Sequence, residues 1–176
     1  DAIGRQIQRL EHYLDTFHHL QRLEDRETMP QTLDCFVFAQ TLAQTATVFC
    51  QKQQKQLKTI FQLNVDSLTA DELMIQQVFD NLLANSVRYA HRTITIIVKT
   101  TENGLTLSVA DDGDGFSSEA LKKGCSPYFT EENNRQTHLG LGLYIAQLLC
   151  QRHHGTLTLA NHEKGAIITA FFGQCR

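Results

Sequence analysis

Hydrophobic residues near the start of the chain recur every three or four positions, a spacing that places them on one side of an α-helix. The stripe consists of Ile3, Ile7, Leu10, Leu14 and Phe17, and it continues slightly out of phase through Leu20 and Leu23. The pattern predicts an amphipathic helix over 3–28, which Pro30 ends, because the residue before a proline disfavours helical dihedral angles. The narrow stripe predicts a helix-bundle or dimer partner. An ordinary core helix of its own domain is the alternative.

After Pro30 the spacing of hydrophobic residues alternates between strand-like and helix-like segments. Strands are predicted at 32–36, 57–63, 92–101, 105–110, 156–160 and 166–172, and helices at 38–55, from Thr69 or Asp71 onward, and at 140–152. The stretch 112–138 has few apolar runs and predicts a long loop, of a length that is usually functional in a compact domain. This order of elements predicts a mixed sheet with helices on one face.

Composition and charge narrow the class of protein. The chain has 176 residues, of which 41% are hydrophobic and 20% charged, as expected for one globular domain. Its net charge of −3 disfavours a nucleic-acid partner, because no excess of cations attracts phosphate. No apolar run reaches membrane-spanning length, and no signal peptide is visible. The five cysteines form no CxxC pair and predict buried thiols in a reducing, cytoplasmic compartment, without a zinc site.

Three segments contain residue types that suit nucleotide chemistry, and the first lies in the helix predicted after Asp71. Asn81, Asn85 and Arg88 are spaced by four and three, so they project from one side of that helix. The Asn85 amide oxygen suits an Mg²⁺ ion that also keeps waters and phosphate oxygens. Arg88 could neutralise phosphate charge, and Tyr89 could cover a flat base. On its own, the pattern is more often plain helix surface.

The second segment, 109–116, directly follows a predicted strand and is rich in aspartate and glycine. Asp111 stands at the strand end, where its carboxylate could accept a hydrogen bond from the exocyclic amine of adenine. Gly113 and Gly115 allow the backbone to approach a ligand or to adopt positive φ. The alternatives are an acidic turn and a calcium loop. Calcium is disfavoured, because Lys122 or Lys123 stands where a calcium-binding loop carries Glu.

The third segment, 139–146, places Gly140 and Gly142 at the start of a predicted helix. The unpaired N–H groups and the positive dipole end of such a start can hold phosphate. The segment lacks the lysine of a Walker A loop, and Ile145 occupies the third glycine position of a dinucleotide-binding fingerprint, so neither motif applies. A purely structural role for the glycines is the alternative.

Together the three segments describe a nucleotide pocket with a loop as its lid. In this combination the sequence resembles the ATP-binding fold shared by gyrase, Hsp90, MutL and the histidine kinases. Residues 81–89 resemble the N box of the histidine kinases, 111–116 the G1 box and 140–143 the G2 box, while 127–129 lie at the F box position. The resemblance covers about 32–172. It implies an α+β two-layer sandwich over 30–176, with helices on one face of a mixed sheet, preceded by one long helix over 1–29.

The resemblance also implies ATP and Mg²⁺ as cofactors, with Asn85 as the metal ligand. The residues implied to bind the nucleotide are Asn81, Asn85, Arg88, Tyr89, Asp111, Gly113, Gly115, Phe116, Leu139, Gly140, Leu141, Gly142 and Leu143. The members that hydrolyse ATP resemble one another in a Glu one turn before the magnesium-binding Asn. Here that position is Asn81, which cannot activate water as a base. Transfer to a protein side chain is therefore favoured over hydrolysis, with Asn81 and Asn85 as the catalytic residues.

At the level of function, the resemblance implies the catalytic and ATP-binding region of a two-component sensor histidine kinase, preceded by the trailing helix of its dimerisation domain. The γ-phosphate of ATP would pass to a histidine outside this chain and then to a response regulator. The intact protein is expected to be a homodimer anchored in the cell membrane, with this region cytoplasmic and no nucleic-acid partner. The alternatives are a serine-directed kinase of the anti-sigma type, which usually lacks a leading bundle helix, and a non-catalytic nucleotide-binding scaffold.

Some positions depart from the family pattern. His12, His18 and His19 lie within the first predicted helix, in contexts that do not match a phosphoacceptor histidine. The acceptor is therefore expected outside this chain. His138 replaces the usual first glycine of the G2 box, which bears on closure of the lid, and Asp112 stands where Asn is common.

Overall fold

A five-stranded sheet forms the centre of the structure, a computed structural model that describes residues 27–130 and 140–175. In chain order the elements are β1 (Gln31–Asp34), α1 (Cys35–Lys52), β2 (Gln56–Leu63), β3 (Ser67–Ala70), α2 (Glu72–Tyr89), β4 (Thr93–Thr101), β5 (Gly104–Asp111), α3 (Ser118–Lys123), α4 (Gly142–Arg152), β6 (Thr156–His162) and β7 (Gly165–Gly173). The order in the sheet is β2-β4-β5-β7-β6. Strands β2 and β4 are parallel and the other neighbours antiparallel, while β1 and β3 form a separate antiparallel pair. The predicted mixed sheet is confirmed.

The three longer helices, α1, α2 and α4, cover one face of this sheet. Along β4 the buried positions include the alternate residues Ile94, Ile96 and Val98, which is the period of a strand with one face in the core. The helices contribute core side chains such as Leu42, Leu82 and Leu149. The result is the predicted two-layer α+β sandwich.

Aspartate caps set the starts of the two longest helices. Asp34 Oδ1 accepts a hydrogen bond from Val37 N at 2.9 Å, and Asp71 Oδ1 accepts one from Met74 N at 3.0 Å. Each carboxylate satisfies a backbone donor that the first turn of a helix leaves unpaired. Of the two residues from which this helix was predicted to start, Thr69 and Asp71, Asp71 is the cap. Helix α1 begins at Cys35, earlier than the predicted 38, and β1 ends before the predicted 36, because Asp34 is the cap.

Two short elements are absent from the sequence prediction. Strand β3 has 4 residues and pairs with β1, and α3 has 6 residues within the stretch 112–138 that was expected to be a loop. Segments this short contain too few positions to show a hydrophobic period. The strands predicted at 92–101 and 105–110 form a hairpin, in which Thr101 pairs with Gly104, whose φ of +145° suits glycine.

A buried polar network joins the start of α2 to the end of α4. His153 Nε2 accepts a hydrogen bond from Asp71 N at 2.9 Å, and its Nδ1 lies 2.9 Å from Gly173 O. Because an amide N–H can only donate and a carbonyl can only accept, the ring is neutral with its proton on Nδ1. Asp71 Oδ2 also accepts a hydrogen bond from Met29 N at 2.8 Å. One buried aspartate thereby holds α2, α4 and the segment that enters the domain.

The predicted helix over 3–28 lies almost entirely outside the described residues. Glu27 and Thr28, which are described, are not helical. The division into a helix over 1–29 and a domain over 30–176 stays a prediction. Among residues 27–130 and 140–175, no helix is long and apolar enough to cross a membrane.

Candidate functional site

A buried carboxylate with one unpaired oxygen lies at the end of β5. Asp111 is 3% exposed, and its Oδ1 accepts hydrogen bonds from Gly113 N at 3.0 Å and Ala166 N at 3.5 Å. Its Oδ2 is buried and has no hydrogen-bond partner among the described residues. Burial raises the pKa of the carboxyl, and the two N–H groups partly oppose that rise. Since a buried polar atom without a partner is unfavourable, Oδ2 is a candidate acceptor for a hydrogen bond from a ligand.

The loop after β5 lies directly against the C-terminal end of α2. A Cβ atom at Gly113 would lie 2.3 Å from the Tyr89 carbonyl oxygen, so only glycine permits this approach. Arg92 N donates a hydrogen bond to Asp112 Oδ1 at 2.8 Å. The side-chain oxygen of Asn, which is common at this position, could accept the same hydrogen bond. The structure therefore brings the second predicted segment against the end of the first.

Asn161 of strand β6 contacts two further residues of this loop, Gly115 and Phe116. Gly115 has φ +80°, and a Cβ atom there would approach Asn161 Oδ1 to 2.9 Å. Phe116 N donates to Asn161 Oδ1 at 2.7 Å, and Asn161 Nδ2 donates to Phe116 O at 2.9 Å. The Phe116 side chain packs against the hydrophobic core. The structure thus shows Phe116 supporting the loop, and its contact with a nucleotide stays a prediction.

Asn81 and Asn85 lie about one turn apart on α2, as their spacing predicts. Asn81 Nδ2 donates to Gln77 O at 2.9 Å, and a Cβ atom at Gly142 would lie 3.1 Å from Asn81 Oδ1. Asn85 is half-buried, and within the described part of the chain its buried Nδ2 has no hydrogen-bond partner. The first predicted segment therefore contacts the third through Asn81 and Gly142, and it presents an amide at Asn85 whose nitrogen is unpaired.

Arg88 and Tyr89 end this helix. The Arg88 guanidinium carbon lies 5.9 Å from the centre of the Tyr89 ring, within the range of a cation–π contact. Arg88 is exposed and Tyr89 is half-buried. Because the Tyr89 carbonyl touches Gly113, this end of α2 lies next to the loop that follows Asp111.

The third predicted segment begins α4 without a side-chain cap. Leu141 occupies the cap position and makes no capping hydrogen bond, so the first-turn N–H groups remain for another acceptor. Gly140 has φ +67°, and a Cβ atom there would lie 2.3 Å from Phe129 O, which brings the segment against the predicted F box. The side chains of Leu141 and Leu143 pack into the core. Leu139 of this segment and His138, the residue before it, lie outside the described residues.

The hairpin between β6 and β7 contributes residues that the sequence does not predict. His162 Nε2 lies 3.2 Å from Asp111 O, and a Cβ atom at Gly165 would lie 2.2 Å from the same oxygen. Together with Ala166 N, these groups contact Asp111 on its backbone and on Oδ1. No motif marks the hairpin, and its one signal in the sequence is a glycine between two predicted strands.

Comparison with known proteins agrees with this geometry. Residues 70–174 match the family described as histidine kinase-, DNA gyrase B-, and HSP90-like ATPases. The match spans more than half of the chain and includes every predicted nucleotide-binding position. The chain belongs to this family, and the resemblance predicted from its motifs is confirmed.

Two curated relatives are sensor proteins. The heme sensor protein HssS of Staphylococcus saprophyticus is 30% identical over 115 residues, which cover 64% of this chain and 25% of HssS. The C4-dicarboxylate transport sensor protein DctB of Pseudomonas aeruginosa is 34% identical over 105 residues, which cover 56% of this chain and 17% of DctB. The chain therefore spans a quarter or less of the length of these relatives.

A solved structure with a similar fold is the histidine kinase AdeS of Acinetobacter baumannii. Its TM-score is 0.73 at 18% sequence identity, and the similarity covers 99% of this chain and 83% of the AdeS chain. At this identity the comparison shows a shared fold, in agreement with the α+β sandwich described above.

Proposed function

We propose that this chain is the ATP-binding catalytic region of a two-component sensor histidine kinase. The observation that carries the proposal is Asp111 Oδ2, which is buried and lacks a partner in the described structure. A carboxylate oxygen accepts hydrogen bonds only, so it suits the exocyclic amine of adenine. The names of HssS and DctB describe sensor proteins, which supports a kinase of the sensory type.

ATP would lie between α2 and the start of α4. Asp111 would accept a hydrogen bond from adenine, with Tyr89 beside the base and Gly113 keeping the loop backbone close to α2. The uncapped first turn of α4, opened by Gly140 and Gly142, would donate its N–H groups to the phosphates. This placement is supported by the contact between the two helices at Asn81 and Gly142.

The residues present fit Mg²⁺ together with a nucleotide. Among the described residues, no three His, Cys, Asp or Glu side chains group so as to hold a metal. Mg²⁺ commonly takes one or two protein ligands and completes its shell with waters and phosphate oxygens. Asn85 would supply an amide oxygen, Asn81 would support the waters, and Arg88 would contact phosphate. When bound, the ion neutralises negative charge on the transferred phosphoryl group.

Asn81 also bears on the acceptor of the phosphate. Its amide is hydrogen-bonded to Gln77 O and cannot serve as a general base for water. We therefore assign the γ-phosphate to a histidine outside this chain, from which a response regulator would receive it. For the intact protein we propose a homodimer formed through 1–29 and an anchor in the cell membrane, with this region in the cytoplasm.

Calorimetric titration with a non-hydrolysable ATP analogue, with and without Mg²⁺, tests the nucleotide site. Asp111→Asn places an amide nitrogen or a weaker acceptor at Oδ2, so we expect affinity to fall by about 10- to 100-fold. Asp114→Asn removes the same charge from an exposed position of the loop and should bind like the wild type. Equal affinities of the wild type and Asp111→Asn would contradict the assigned adenine contact.

A separately supplied acceptor domain tests the reaction. With labelled ATP, Mg²⁺ and a histidine-containing dimerisation domain, the chain should transfer phosphate that is labile to acid, as phosphohistidine is. Asn85→Ala should abolish the transfer. Acid-stable phosphate on serine would instead indicate the anti-sigma type of kinase, and nucleotide binding without any transfer would indicate a non-catalytic scaffold.

A further inference from the structure

The β6–β7 hairpin reaches Asp111 because β7 pairs with β5. Ala110 lies opposite Ile167 at the end of this ladder, so the residues that precede Ile167 continue toward Asp111. A Cβ atom at Gly165 would lie 2.2 Å from Asp111 O, which makes glycine necessary for the approach. His162 is the partner of Gly165 in the β6–β7 ladder. The same close approach therefore carries His162 to the Asp111 carbonyl.

We propose that His162 is a positioning residue for nucleotide recognition, which acts through Asp111 and so rests on the nucleotide site proposed above. Its Nε2 lies 3.2 Å from Asp111 O. Since a carbonyl oxygen can only accept, Nε2 carries a proton and donates it to this hydrogen bond. His162 thereby holds the backbone from which the carboxylate projects, while Gly113 N and Ala166 N hold Oδ1. Oδ2 is left to accept a hydrogen bond from the nucleotide.

His162 also acts on the charge of the carboxyl when its ring is protonated. Nδ1 then carries a second proton, and the positive ring favours ionised Asp111. Burial raises the pKa of Asp111, while the Gly113 and Ala166 N–H groups and then His162 oppose this rise. The charged residues adjacent to this pair in the chain are Asp112, Glu163 and Lys164, and the charge of Asp112 adds to the rise in the pKa of Asp111. Because only the ionised carboxylate is purely an acceptor, His162 extends adenine recognition to lower pH.

Two substitutions separate these roles. His162→Gln retains an N–H donor that can reach a carbonyl but cannot titrate, whereas His162→Leu removes both donor and charge. The affinity of a non-hydrolysable ATP analogue is measured by calorimetry from pH 5 to pH 8. At pH 8 we expect His162→Gln to match the wild type and His162→Leu to bind about 3- to 10-fold more weakly. On acidification, affinity in His162→Gln should fall at a higher pH than in the wild type, because the carboxyl of Asp111 then lacks the charge that favours its ionised form.

His154→Asn is the matched control, because it removes an exposed imidazole that lies beyond the end of α4. It should follow the wild-type profile. A folding defect would lower affinity at every pH. A change only in the pH at which affinity falls on acidification therefore reports on the charge of His162. Wild-type pH dependence in His162→Gln would overturn the electrostatic role, and wild-type affinity of His162→Leu at pH 8 would overturn the positioning role. If the wild type bound no nucleotide at any pH, the proposed function itself would fail along with this inference.

Discussion

Asp111 is subject to two opposing requirements. For the proposed contact with adenine, its Oδ2 atom must be buried and available. For folding, the same placement removes a carboxylate from water and leaves Oδ2 without a hydrogen-bond partner in residues 27–130 and 140–175. Burial accordingly raises the pKa of the carboxyl, which means that the ionised form is less favourable in the folded protein than in the unfolded chain. Binding sites commonly retain such unfavourable groups at the expense of stability. Asp111 should therefore destabilise the protein when no nucleotide is bound.

It follows that Asp111→Asn should stabilise the free protein at neutral pH while it weakens nucleotide binding. The Asn Oδ1 can still accept from Gly113 N and Ala166 N, and the buried charge is gone, so we expect Tm to rise by about 2–4 °C. Because the folded-state pKa lies above the ordinary 3.8, the wild type gains a proton first in its folded state. The difference in Tm should be full at neutral pH and shrink as pH falls through the raised pKa.

Thermal unfolding of both proteins between pH 4 and pH 8, without nucleotide, measures this effect. Asp114→Asn serves again as the control, since its carboxylate is exposed and its removal should change Tm little at any pH. A lower Tm for Asp111→Asn at pH 7, or a difference that does not vary with pH, would contradict the account.

At the scale of the element, α2 is the helix on which the site depends, and one aspartate fixes its start. Asp71 caps the helix through Met74 N and accepts a second hydrogen bond from Met29 N. Its own N–H donates to the neutral ring of His153. Both Asp71 and His153 are buried, so a lost partner there would leave polar groups unsatisfied, away from water.

Asp71→Ala should consequently cost more stability than removal of an ordinary helix cap. We expect the free energy of unfolding to fall by about 2–3 kcal/mol, which combines the loss of a cap with the loss of the hydrogen bond that Met29 N donates to the buried carboxylate. Asp34→Ala is the matched control, because Asp34 caps α1 from an exposed position and its loss should cost less. Urea denaturation measures both variants. Equal losses would show that Met29 and burial add nothing to the cap.

For the whole molecule, the parts that could be predicted are those encoded by residues close together in sequence. The spacing of Asn81 and Asn85 is a property of one helix, and Asp71 precedes the residues that it caps. Gly140 and Gly142 precede a periodic helical stretch. Local patterns of this kind predict both the type of secondary structure and the face of the helix or strand on which a residue lies. The candidate binding segments and the mixed sheet could therefore be predicted without the structure.

The support beneath Asp111 could not be found in this way. Ala166 and His162 contact Asp111 across 55 and 51 residues of chain, and their position depends on which strand pairs with β5 and in which register. Alternation of apolar and polar residues predicts a strand, but it predicts neither the neighbouring strand nor the register of the pairing. The cap at Asp34 was missed for a different reason, because β1 is only 4 residues long and one polar residue after it does not stand out.

Long-range contacts at the two ends of α2 also fix the position of this helix relative to the rest of the candidate site. Helix α2 is attached at its start to α4 through Asp71 and His153. At its end it touches the β5 loop where the Tyr89 carbonyl meets Gly113, and Lys55 Nζ donates to Ala90 O at 2.6 Å. Because both ends of α2 are held by contacts of Asp71, Tyr89 and Ala90, these contacts set the position of the helix that carries the proposed metal ligand relative to Asp111. The side chains proposed to contact the nucleotide can therefore act in binding, while the sheet and the helices α2 and α4 hold them in position.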